Sequence, residues 1–121
     1  MAAPARSREM PAPLELQCLK VLWARGEGTV SHVQQALAPQ RKLAYTTVMT
    51  LLDRLLHKGI VTRRRLGRAF IYSPAVSREA LRSIAVRELL DNFFDASHIS
   101  LIKYLESRGG PVPTMADVLF D

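Results

Sequence analysis

Thr46, Thr47, Thr50 and Arg54 recur within the segment LAYTTVMTLLDRLLHKG, residues 43–59, and Arg63, Arg64, Arg65 and Arg68 follow shortly after it. Hydroxyls that donate and accept, combined with forked guanidinium donors, suit phosphate oxygens and the edges of bases. The chemistry they would perform together is recognition of a polyanion. The charge map agrees: residues 41–68 hold eight basic side chains (Arg41, Lys42, Arg54, Lys58, Arg63, Arg64, Arg65 and Arg68) against Asp53 alone, whereas the whole chain is only +6. Basicity concentrated in one segment implies a localised polyanionic partner, whose binding should weaken as salt rises. A solubilising charge run accounts less well for the concentration. Membrane-surface binding fits poorly, because the arginines flank a ribbon rather than an apolar helix face.

Those side chains need a helix and a hairpin to present them. Val48, Leu51, Leu52 and Leu55 recur at i, i+3, i+4 and i+7, which predicts a helix from about Tyr45 to Lys58, closed by Gly59, with the threonines off its buried stripe. Two helices precede it. One runs from Pro13 to about Ala24 with Leu16, Leu19, Leu22 and Trp23 inward, and the other lies within residues 29–37, capped by Thr29 or Ser31. After Gly59, residues 60–65 and 69–73 read as strands joined through Leu66, Gly67 and Arg68, a hairpin whose tip carries arginines. Helix, turn, helix and hairpin make a winged helix, in which the second helix of the pair enters the major groove.

Beyond Pro74 the composition changes. Ser77 caps a helix expected over residues 78–94, and after a break at Asp95–Ser97 the pattern resumes with Ile99, Leu101, Ile102 and Leu105. Together with Leu81, Ile84, Ala85, Val86, Leu89, Leu90, Phe93 and Phe94, this is more apolar surface than one contact with a small domain requires, so self-association is expected. The fold class is therefore mainly α with a small β-wing. A flexible arm is expected over residues 1–12, a winged-helix domain over 13–75, a helical dimerisation element over 76–107 and a flexible tail over 108–121.

The 121 residues suit one such domain plus an appended interaction element, and no apolar run approaches the ~20 residues of a bilayer span. The start, MAAPARSREMPAP, lacks the apolar core of a signal peptide, so a cytoplasmic protein is expected. No enzyme is expected. Cys18 with His32, His57 or His98, oriented by Asp53 or Asp91, would be the only thiol-based arrangement, and Cys18 sits in an apolar helical segment without an activating neighbour. The histidines lack metal-ligand spacing, so neither metal nor cofactor is expected.

The order LKVLW, TVSHV, LAYTTVMTLLDRLLHKG, GRAFIYSP and VRELLDNFFDAS resembles the penicillinase repressor family of winged-helix transcriptional regulators over residues 13–106. The resemblance implies a dimeric repressor of palindromic operator DNA. Carried onto this chain, it assigns DNA contact to Thr46, Thr47, Thr50 and Arg54 of the reading helix and to Arg63, Arg64, Arg65 and Arg68 of the wing. Tyr72 on the returning strand joins this set, suited to packing or backbone contact rather than base reading. Dimerisation falls to Val86, Leu89, Leu90, Phe93, Phe94, Leu101, Ile102 and Leu105. Family members that answer β-lactams are cut by a protease in the last helical region, in some between an asparagine and a phenylalanine. Tyr104 and Leu105 stand at that place here, and a regulatory protease or other protein partner is left open. The cysteine cluster of copper-responsive relatives is absent from the sequence. The alternative reading is a winged helix that binds protein through its ribbon without specific DNA contact, which salt-insensitive binding would reveal.

Overall fold

A computed structural model describes residues 9–119 of the chain. The elements are α1 (Pro13–Arg25), α2 (Val30–Leu37), α3 (Tyr45–His57), β1 (Val61–Leu66), β2 (Ala69–Pro74), α4 (Arg78–Phe93), α5 (His98–Arg108) and α6 (Met115–Leu119). Most of the arm expected over residues 1–12 lies outside the described residues. Met10, which falls within them, packs against the core. The chain divides into two compact units after Leu81.

The first unit is a winged helix. Thr29 caps α2 reciprocally: its Oγ1 accepts the His32 backbone N–H and its own N–H is accepted by His32 Nδ1, both at 3.1 Å. Gln34 Nε2 donates to the Leu43 carbonyl at 3.0 Å and so ties α2 to the turn leading into α3. The apolar stripe of α3 (Val48, Leu51, Leu52, Leu55) is buried against Cys18, Leu19 and Leu22 of α1 and Val30, Val33 and Leu37 of α2 in one core cluster. This burial, rather than propensity, holds a threonine-rich segment helical. Leu81, grouped by sequence with the C-terminal element, belongs to the same cluster. Trp23 Nε1 donates to the Val76 carbonyl at 2.9 Å, fastening the β2–α4 connection to α1.

The hairpin is tighter than its sequence suggested. β1 and β2 pair antiparallel from Val61↔Pro74 to Leu66↔Ala69, leaving only Gly67 and Arg68 as the turn. Gly67 at φ +63° supplies the left-handed backbone that a two-residue connection favours. Gly28 extends the sheet by exchanging two backbone hydrogen bonds with Tyr72, of 2.9 and 2.8 Å, so the α1–α2 connection braces the wing.

In the second unit, α4 ends at a turn where Asp95 (φ +50°) and Ala96 (φ +62°) both take left-handed backbone. The Phe94 and Ala96 N–H groups both donate to the Leu90 carbonyl, and Ser97 then caps α5 through the Ser100 N–H. A left-handed alanine costs about 1–2 kcal/mol, part of which glycine would forfeit to its freer unfolded chain. Ala96→Gly should therefore raise stability by about 0.5–1 kcal/mol in urea unfolding. A lowered midpoint would contradict this turn geometry. Phe94 and Tyr104 pack as tilted rings 5.7 Å apart, joining α4 to α5.

Two expectations for this unit change. Leu90 is only 2% exposed, so it is buried within the chain and leaves the set offered to a partner. Phe94 and Leu101 are half-buried, whereas Val86, Leu89, Phe93, Ile102 and Leu105 stand exposed. The tail is not structureless throughout, because residues 115–119 form the short α6, with Met115, Val118 and Leu119 exposed. Phe120 lies outside the described residues.

Candidate nucleic-acid interface

Burial of one side of α3 dictates what the other side offers. Thr46, Thr47, Thr50 and Arg54 are all exposed, as the stripe spacing requires. The helix begins at Ala44 with no side-chain cap and no acid in its first turn. Its first N–H groups thus remain available to an anion, and Arg41 and Lys42 stand exposed just ahead of them. Sequence patterning counted that pair in the basic segment without placing it at the helix mouth.

Pleating sorts the wing arginines. Arg63 and Arg65 share one face of β1, where their guanidinium carbons lie 4.2 and 5.2 Å from the Phe70 ring centre. Arg64 points the other way and makes a two-pronged ion pair with Glu27, at 2.8 and 3.1 Å. Arg64 thereby braces the wing against the α1–α2 connection, while its side chain stays 54% exposed. The pair's hydrogen bonds hold the Glu27 carboxyl below the usual carboxylate range and raise Arg64 further. Arg65 and Arg68 have no acidic partner among the described residues, and Arg68 occupies the turn.

Tyr72, 2% exposed and fixed by the two backbone bonds to Gly28, belongs to the core and also lines the hollows between α3 and the wing, so it suits packing rather than base reading. Phe70, two residues earlier on the same face of β2, lies nearer the tip of the wing and stands outward.

Helix and wing open onto a common cleft. Met49, Thr50 and Asp53 of α3 line it together with Arg63 and Phe70, and Arg63 Nη1 approaches Asp53 Oδ1 to 3.9 Å. An adjoining hollow is bounded by Ser31, Tyr45, Met49, Arg68 and Phe70. Tyr45 and Met49 are 48% and 42% exposed, large for apolar groups on a helix and suited to sugar faces or the thymine methyl. Sequence reading passed over them because their spacing follows neither the buried stripe nor the threonine row.

The placement of α3 also depends on a buried ion pair that no motif disclosed. Glu15 is 3% exposed, accepts the Lys58 ammonium at 2.6 Å and caps α1 by accepting the Ala12 N–H at 3.0 Å. Lys58 follows α3 directly, so the pair clamps the end of α3 to the start of α1. Burial opposes the Glu15 charge, but the Lys58 hydrogen bond, the Ala12 N–H and the charges of Lys58 and Arg54 outweigh it and hold the carboxyl below 4.5. A depressed folded pKa stabilises the fold above the unfolded value and loses that contribution as pH falls through the folded value. Glu15→Gln should accordingly cost about 1.5–3 kcal/mol near neutral pH, with the gap from wild type closing as pH falls through and below the ordinary carboxylate range. Denaturant unfolding across that range checks this, and a gap independent of pH would contradict it.

The catalytic alternative loses its nucleophile. Cys18 is fully buried, and burial followed by the nearby Glu15 charge pushes its thiol up to about 11. His57 Nδ1 lies 2.9 Å from the Asp53 carbonyl and 3.4 Å from its carboxylate, a local helix contact remote from any thiol in sequence.

Residues 11–109 match the family model described as penicillinase repressor. The transcriptional regulator BlaI of Mycobacterium tuberculosis is 46% identical over 99 residues, covering 79% of this chain and 72% of that protein. The solution structure of the DNA-binding domain of the repressor BlaI superposes with a TM-score of 0.53 at 27% identity, over 59% of this chain and 89% of that domain. The Bacillus licheniformis BlaI monomer, solved in complex with the blaP half-operator, gives a TM-score of 0.50 at 27% identity, over 60% of this chain and 90% of that one. With its threonine-faced helix, its arginine-bearing wing and a match spanning both units, the chain belongs to the penicillinase repressor family.

Proposed function

We propose that the protein is a sequence-specific DNA-binding transcriptional repressor, acting as a homodimer on an inverted-repeat operator. The observation that carries this reading is the shared cleft: Thr50 of α3 and Arg63 of the wing line one opening, so base-reading and backbone-gripping groups face the same way. In this reading Thr46, Thr47, Thr50 and Arg54 meet base edges and flanking phosphates in the major groove. Arg63, Arg65 and Arg68 follow the backbone beside it, with Arg41, Lys42 and the open start of α3 holding a further phosphate. The family is one of repressors rather than enzymes. A relative captured on a half-operator supports the same mode of engagement here.

Dimerisation is assigned to the exposed Val86, Leu89, Phe93, Ile102 and Leu105 of α4 and α5. A two-fold dimer offers two reading helices and matches a two-fold operator. We place the protein in the cytoplasm with its DNA; no described helix is long and apolar enough to cross a membrane. A protease or other protein that relieves repression would be a further partner of this framework. Tyr104 and Leu105 lie exposed on α5.

Selection of bound duplexes from a random pool at near-physiological salt tests the proposal. An inverted repeat with half-sites about one or two helical turns apart is the expected product. Recovery of unrelated sequences with no common half-site would refute sequence-specific repression.

A further inference from the structure

We infer that Phe70 is the positioning residue of the wing: its ring holds the Arg63 and Arg65 guanidiniums in place for the DNA backbone, so an aromatic face at this position sets the wing's share of affinity. The inference rests on the DNA-binding reading above and deepens it. Register places Arg65 directly opposite Phe70 and Arg63 opposite Tyr72, so the two arginines flank Phe70 on one face of the ribbon. Their guanidinium carbons sit 4.2 and 5.2 Å from the ring centre, within the range where a cation is drawn to an aromatic quadrupole.

Phe70 is 36% exposed and absent from the core cluster; it lines the cleft beside Met49 and Tyr72 with the two guanidiniums over its ring. Asp53 engages Arg63 from α3 as well, at 3.9 Å. Arg65 has no such second tether among the described residues, and its guanidinium rests on the ring alone. An arginine on an exposed strand samples many rotamers, and ordering it on binding weakens association. A ring that restricts it beforehand removes part of that cost. Arg64, on the opposite face, is restrained by Glu27 instead and does not depend on the ring.

The test compares Phe70→Leu and Phe70→Ile, which keep apolar bulk without a π face, with Phe70→Tyr, which keeps the face. Affinity is measured for the selected operator and for a random duplex, alongside thermal melting of each variant. Leucine and isoleucine should each weaken binding about tenfold on both duplexes, while tyrosine binds like wild type. Because Phe70 lies outside the core, at least one aliphatic variant should retain the wild-type melting profile. In an Arg63→Ala, Arg65→Ala background the leucine change should have no further effect, since its action runs through those side chains. Wild-type affinity in a folded aliphatic variant, equal weakening by tyrosine, or an undiminished loss in the arginine-free background would overturn the inference while leaving DNA binding intact. Failure of the wild-type protein to bind any duplex at low salt would instead overturn the DNA-binding reading, and this inference with it.

Discussion

Replacing Phe93 with glutamate is expected to leave a folded monomer whose operator affinity is roughly a hundredfold to ten-thousandfold below wild type. Phe93 is 76% exposed on α4, so the subunit has little to lose from its removal. In a two-fold interface the same ring is buried twice, each burial being worth about 1.5–3 kcal/mol, and each glutamate would carry an unpaired charge into that surface. The protein would keep both the reading helix and the wing yet lose the linkage that makes the second half-site's binding intramolecular. Leu89→Glu on the same helix should act in the same direction. Sedimentation equilibrium with operator titration checks both, and a dimeric mass retained by both variants would remove this face from the interface.

The legibility of this fold followed the strength of each periodic signal. Val48, Leu51, Leu52 and Leu55 announced α3 because a helix must repeat its buried side at these spacings, and the same rule exposed the threonines. Gly67 marked the hairpin, although the true turn is two residues because Leu66 pairs with Ala69. What escaped was long-range. Glu15 and Lys58 are far apart in sequence, and nothing in either segment declares that a carboxylate will be buried beside an ammonium.

Arg64 looked equivalent to Arg63 and Arg65 in a run of three. Strand alternation separates it, and only folding shows that Glu27 waits on its side. Tyr72 and Leu90 illustrate the same limit, since an aromatic next to a basic wing and a leucine in a greasy helix each suit either a partner or the subunit's own interior. Both are buried.

The second large effect separates the two classes of contact. Arg63→Ala combined with Arg65→Ala should weaken binding to specific and random duplexes alike, and should lower the salt slope of log affinity by about two per subunit. Phosphates are the same in every sequence, so discrimination should survive. Thr47→Ala and Thr50→Ala should instead spare the random duplex and reduce operator preference, each by about 1 kcal/mol or more, because a lost base contact matters only where the correct base was present. The threonines are exposed and the stripe beneath them is untouched, so stability should change little. Identical losses on both duplexes from all four substitutions would place base reading elsewhere on the protein.

The most direct measurement is backbone and side-chain chemical-shift mapping of the labelled protein as operator duplex is added. The largest changes are expected at Thr46, Thr47, Thr50 and Arg54 on α3 and at Arg63, Arg65 and Arg68 on the wing, in one concerted transition. Unchanged signals at these residues, with the perturbations confined to α5 or α6, would contradict the account at its centre.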